Sequence, residues 1–183
     1  MSHLIVSTAA ARRLLLRLVL FVAVVLVALV ATAVPAEGSS KLCGASAAGK
    51  YAASLAAKIK VPAPSVVEDA SSRHGAYFTP GTSTISIKPG CTTKTTVAHE
   101  FGHYVVDLAA GMNWDEHQGI ARHFTGYRNW LKTSSDSEGF ERAAHCVGYQ
   151  FVKNGTYTKC PYRAARDAAK FVIATASARY PAP

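Results

Sequence analysis

Apolar residues are distributed unevenly along the 183-residue chain. The stretch from Leu14 to Val34 is broken by a single charge, Arg17, and residues 18–30 are an unbroken apolar run. Beyond it the pattern alternates between helical and extended spacing. Residues 41–60 are Ala-rich, with Leu42, Leu55 and Ile59 suggesting a helix that ends before Pro62 and Pro64. Ala76–Phe78 and Thr84–Ile87 flank Thr79-Pro80-Gly81-Thr82, which reads as two strands about a turn, and Pro89-Gly90 closes the second.

From Thr93 to Ala110 the apolar positions Val97, Phe101, Val105 and Leu108 recur at three and four residues, so this segment is a helix with one core face, stopped by Gly111. Gly111–Gly119 reads as a polar loop and Ile120–Leu131 as a third helix. The Trp114–His117 cluster would lie in solvent in that loop, or else form a lid or specificity loop. Ser134–Ser137 is a cap region, a fourth helix runs from about Asp136 to Lys153, and a last one opens at Pro161 and reaches about Tyr180. The expected fold is α+β, mostly helical, with a small sheet before the Thr93–Ala110 helix.

The first apolar block changes the picture of where this fold works. Arg12, Arg13 and Arg17 accompany it without any acid in residues 1–17, and Ala31-Thr32-Ala33 has the small-x-small form of a cleavage site. Residues 1–33 are therefore expected to be an export signal, cleaved after Ala33 or Ala36, or an uncleaved anchor approaching the roughly 20 residues that span a bilayer. Residues 34–183 are expected to form one domain, secreted or held at the cell surface. The whole chain carries 20 Lys and Arg against 11 Asp and Glu. Loss of the three leader arginines leaves 17 against 11, or +6, which suits an anionic cell-envelope surface. The basic residues are scattered and no nucleic-acid-binding motif is present, so nucleic acid is not an expected partner. Contact with a membrane is expected only through an uncleaved N-terminal segment.

Cys43, Cys91, Cys146 and Cys160 all follow the leader, and none forms a Cys-x-x-Cys metal pair. Two disulfides are expected. Of the three possible pairings, Cys43 with Cys91 and Cys146 with Cys160 is favoured, because the second closes a short loop between two predicted helices.

The chemistry concentrates in His99-Glu100-Phe101-Gly102-His103, inside the Thr93–Ala110 helix. Residues four apart project from one helical face, so both imidazoles can reach one zinc ion, and Glu100 is offset to act on water as general base. Gly102, costly inside a helix, marks either close approach of another element or a tolerated residue. His74 is expected at the surface.

This motif resembles that of the zincin metalloproteases, whose zinc-binding helix follows a small sheet. The metzincin continuation is absent, since Val106 and Ala109 stand where that group has Gly and its third His. Resemblance to the gluzincins implies a third ligand from a Glu on a later helix. Glu141 is the expected ligand, and Glu138 the chief competitor. Glu138 also fits a capping box with Ser135, whereas Ala144 and Gly148 form a small-residue strip on the Glu141 face that would let the two helices approach closely. Where gluzincins place an Asp four residues after the Glu ligand, this chain has His145. The donor that stabilises the reaction's oxyanion is expected to be His145 or Tyr149, with His117, His123 and Tyr127 as further candidates.

The resemblance implies a secreted zinc metallopeptidase acting on proteins or peptides, with extended substrate bound along a sheet edge near Pro80-Gly81. Two alternatives are a hydrolase of cell-wall peptide bonds and a non-enzymatic, zinc-stapled envelope-binding module.

Overall fold

The computed structural model describes residues 40–72, 74–125, 138–153 and 155–182. The leader and its cleavage site, Tyr127, the end of the expected third helix and the Ser134–Ser137 cap lie outside the described residues. No helix among the described residues is long and apolar enough to cross a membrane.

The architecture is α+β, with small sheets set against a helical layer. In chain order the elements are β1 (Lys41–Cys43), α1 (Gly44–Ile59), β2 (Ser65–Glu68), β3 (Ala76–Phe78), β4 (Thr84–Ile87), β5 (Cys91–Thr93), α2 (Lys94–Ala109), α3 (Trp114–Arg122), α4 (Glu138–Tyr149) and α5 (Arg163–Arg179).

Helix α1 buries Ala48, Ala52, Leu55 and Ala56, a stripe at helical spacing. It ends at Lys60, whose left-handed backbone returns its N–H to the carbonyls of Ala56 and Ala57. The helix does not begin at residue 41, as the Ala-rich run suggests. Lys41–Cys43 instead pair antiparallel with β5, Cys43 opposite Cys91. A partner half a hundred residues away overrides local propensity there.

The second sheet has the order β2-β4-β3, with β2 parallel and β3 antiparallel to β4. The central strand β4 buries Ile85, Ser86 and Ile87. Strand β2 was not expected, because three of its four residues are exposed and it carries no alternating apolar signal. Phe78 on β3 meets Tyr104 of α2 edge-on, which seats the sheet on that helix.

Helix α2 is the spine of the molecule. It contributes Val97, Phe101, Tyr104, Val105 and Leu108 to a core shared with Leu55, Ile85, Val147 and Ala169. Its most extensive packing partner is α4. The polar loop expected after Gly111 and the helix expected from Ile120 are both corrected by the structure, which starts α3 at Trp114 and ends it at Arg122, with a turn over residues 123–125. Asn113 supplies the reason: its Oδ1 accepts from the N–H groups of Asp115 and Glu116, and those two acids occupy the first turn. Helix α4 stops at Tyr149 rather than Lys153, and a turn follows in which Gln150 and Phe151 donate back to Val147 and Gly148. Two disulfides tie the fold, Cys43 to Cys91 beside the β1–β5 ladder and Cys146 to Cys160 behind α4. No free cysteine remains, which fits an oxidising compartment.

Candidate metal centre

Thr93 caps α2 by accepting the N–H of Thr96, so the helix is firmly started before His99 is reached. His99 and Glu100 are buried, and the rings of His99 and His103 stand edge-on with centroids 4.8 Å apart. His99, Glu100 and His103 offer ligand atoms within 4.8 Å of one another, and so do His99, Glu141 and His145. Groups that could hold a metal ion therefore share His99.

Glu141 reaches them because α4 lies unusually close to α2. A Cβ on Gly102 would collide with the backbone of Ala144, and one on Gly148 would lie 2.9 Å from the Ala98 carbonyl oxygen. Gly102 thus marks a close approach, and the Ala144–Gly148 strip is its counterpart on α4. Across this contact Glu141 places Oε2 3.2 Å from His99 Nε2 and Oε1 3.5 Å from His103 Nε2. Glu138 is occupied elsewhere, accepting from the guanidinium of the buried Arg142.

The charges are tightly coupled. Burial opposes ionisation of Glu141, yet hydrogen bonds from His103 and His99 outweigh it and hold the carboxyl well below the usual range. Burial likewise disfavours protonated His99, but the hydrogen bond and charge of Glu141, with the charge of Glu100, raise its pKa above the ordinary value. His145 goes the other way. Burial, reinforced by the neighbouring His99, pushes it down to about 3. Its Nδ1 accepts the Lys159 N–H at 3.4 Å, next to the Cys146–Cys160 disulfide.

These side chains line an open cleft of about 670 Å³. One wall is β3, an edge strand, continued by Pro80 of the turn. The other is built from α3 and α4 through Trp114, His117 and Phe140. Buried Asp107, one turn beyond His103, ties the two walls together. Its Oδ2 accepts the Gly81 N–H at 2.9 Å, and its Oδ1 lies 3.2 Å from His117 Nδ1.

Of the expected oxyanion donors, His117 and His145 line this cleft. Tyr149 instead lies under the Arg166 guanidinium, and His123 borders a separate groove with Phe124 and Phe171. His74 is exposed at the rim. Nothing in the local sequence pattern singles out Tyr157. It lies in the polar segment before Cys160, lines the cleft and brings its ring 6.1 Å from that of His99. The only hint of this in the chain is its place inside the loop closed by the second disulfide.

The donor set fits a small cation. Ligand atoms bound at about 2.0–2.1 Å around a tetrahedral ion are separated by about 3.3 Å, the ordinary geometry of zinc. The observed separations of 3.2 and 3.5 Å, one to each oxygen of Glu141, lie close to that spacing. Two imidazoles and a carboxylate also suit such an ion chemically. No protein family, curated protein or solved structure matches this chain.

Proposed function

We propose that the protein is an exported zinc metallopeptidase, with His99, His103 and Glu141 as the zinc ligands and Glu100 as the general base. The observation that carries this reading is the convergence of both Nε2 atoms on the Glu141 carboxylate beside buried Glu100, in a cleft bounded by an edge strand. Bound zinc would supply Lewis acidity toward water and toward a peptide carbonyl.

The chain's own residues account for the rest of the chemistry. Edge strand β3 offers main-chain donors and acceptors to an extended peptide, so the scissile bond can be oriented by backbone pairing. Glu100 takes a proton from the attacking water and returns it to the leaving amine. His145 and Tyr157 are the cleft side chains proposed to donate to the oxygen on which charge develops, since both ring nitrogens of His117 are buried away from the cleft.

A structural zinc site needs no carboxylate next to its histidines and no open cleft, so the zinc-stapled module is the weaker reading. The net charge of the exported part suits an envelope surface, and hydrolysis of a cell-wall peptide bond remains the second reading. The decisive experiment offers casein and purified cell wall side by side to protein before and after chelation. Casein hydrolysis that is lost with the metal and restored by zinc is expected. Glu100→Gln should retain stoichiometric zinc while losing about 10²–10⁴-fold in turnover. Unchanged hydrolysis by that variant sinks the mechanism, and release of cell-wall peptides alone shifts the assignment to the second reading.

A further inference from the structure

The wall facing β3 is more elaborate than a zinc site requires. Trp114 of α3 stacks on Phe140 of α4 with centroids 5.2 Å apart and planes 18° from parallel. His117 meets Phe140 edge-on at 4.9 Å and Trp114 at 5.7 Å. These three rings and Glu141 line the same cleft. Phe140 is the chain neighbour of Glu141, so the aromatic wall begins where the zinc ligand ends.

The wall is rigid from behind. His117 is 2% exposed, with its Nδ1 3.2 Å from the buried Asp107 carboxylate. Gly139 lets the start of α4 press on the end of α3, since a Cβ there would lie 2.6 Å from the Ala121 carbonyl oxygen. Trp114, in contrast, remains 52% exposed. A large ring kept half in solvent, with a stacked partner beneath it and a buried imidazole at its edge, offers a pre-formed apolar surface without a covering element among the described residues.

Charge narrows the occupant. No Lys or Arg is among the described residues lining the cleft, whereas Glu100 and Glu141 are. An acidic side chain seated against the Trp114 and Phe140 rings would therefore lose its hydration with no Lys or Arg among the described lining residues to pair with it, despite the basic character of the whole chain. Backbone pairing selects a peptide over a sugar ring. A strand added along β3 turns every second side chain toward the helical layer, the side on which Phe78 meets Tyr104.

We propose that Trp114, Phe140 and His117 form a specificity subsite for an aromatic or bulky apolar side chain close to the scissile bond, and that it rejects acidic side chains. The substrate class is thus apolar peptide sequence rather than the carboxylate-rich peptides of cell wall. This deepens the peptidase reading and rests on it.

The test uses fluorogenic peptides that differ only in one residue, Phe, Ala or Glu, walked through the positions flanking the cleaved bond. At one position wild-type protein should favour Phe over Ala by about 10- to 100-fold in kcat/KM, the effect of burying one large apolar side chain, with Glu poorest. Trp114→Ala should reduce that ratio to near one, Trp114→Phe should restore part of it, and Phe171→Ala, on the far helix, should leave it intact. A second readout does not need turnover. In a Trp130→Phe, Glu100→Gln protein the emission of Trp114 should titrate with the Phe peptide at least tenfold more tightly than with the Glu peptide.

Hydrolysis without preference at any position overturns the subsite and leaves the peptidase reading standing. Selective titration of Trp114 without any hydrolysis does the reverse. An emission response to a muramyl disaccharide but not to the Phe peptide also overturns the proposal.

Discussion

Two glutamates one turn apart illustrate what geometry does to equivalent side chains. Glu138 and Glu141 share chemistry and helix, yet only Glu141 reaches both imidazoles, while Glu138 neutralises an arginine that is 1% exposed. Glu141→Ala should abolish metal binding and activity together, measured by zinc titration and hydrolysis on the same preparation. Glu138→Ala should leave the metal in place and cost about 1–3 kcal/mol of unfolding free energy, because Arg142 loses its charged partner while buried. Zinc lost from the Glu138 variant and retained by the Glu141 variant would reverse the assignment. Both outcomes were foreseeable only in part. The strip of Ala144 and Gly148 marks the Glu141 face in the sequence, but the Arg142 partnership does not announce itself there.

Helix contacts carry that difference between elements. In an exposed helix Gly102→Ala would gain about 1 kcal/mol from propensity. Here the new methyl group meets the Ala144 backbone, which cannot swing aside as a side chain could. Overpacking of this kind costs about 1–3 kcal/mol, so a net loss of stability is expected. The more telling effect is at a distance: pushing α4 away withdraws Glu141, so zinc affinity should fall although no ligand has changed. Thermal melts and zinc titration of Gly102→Ala, with and without metal, would check both. A stabilised variant with unaltered zinc affinity would show that the helices have room to spare. The same scale explains the corrected boundaries. Asn113 is a cap only when the polar residues after it are given helical backbone, which their composition alone does not demand.

Across the whole molecule, folding and protonation are linked through two histidines with opposite shifts. In metal-free protein His145, pushed from 6.5 to about 3, refuses a proton that the unfolded chain accepts, so its contribution is present above 6.5 and lost as pH falls toward 3. His99 has a raised pKa, so its contribution is present below 6.5 and lost as pH rises through the folded value. Stability of the metal-free form should peak near pH 6.5, and His145→Gln should flatten the acid limb, as read from denaturant unfolding across pH. Zinc, which binds deprotonated ligands, should remove the decline on the alkaline side. The disulfides act on the same scale. Alkylation under denaturing conditions should label no cysteine before reduction, and peptide mapping should recover Cys43 with Cys91 and Cys146 with Cys160.

Local pattern by itself determined the fold class, helix α2 with its stripe of Val97, Phe101 and Val105, the hairpin around Pro80-Gly81, and the facing of His99 and His103. Each follows from residues within one or two turns of each other, where the periods of helix and strand govern the outcome. Tertiary structure alone decided the pairing of Lys41–Cys43 with β5, the exposed strand β2, the tie from Asp107 to both cleft walls, and the arrival of Tyr157 and Phe140 at the site. These depend on contacts between segments far apart in the chain. Such contacts arise when surfaces are buried together, and no periodicity within either segment records its partner.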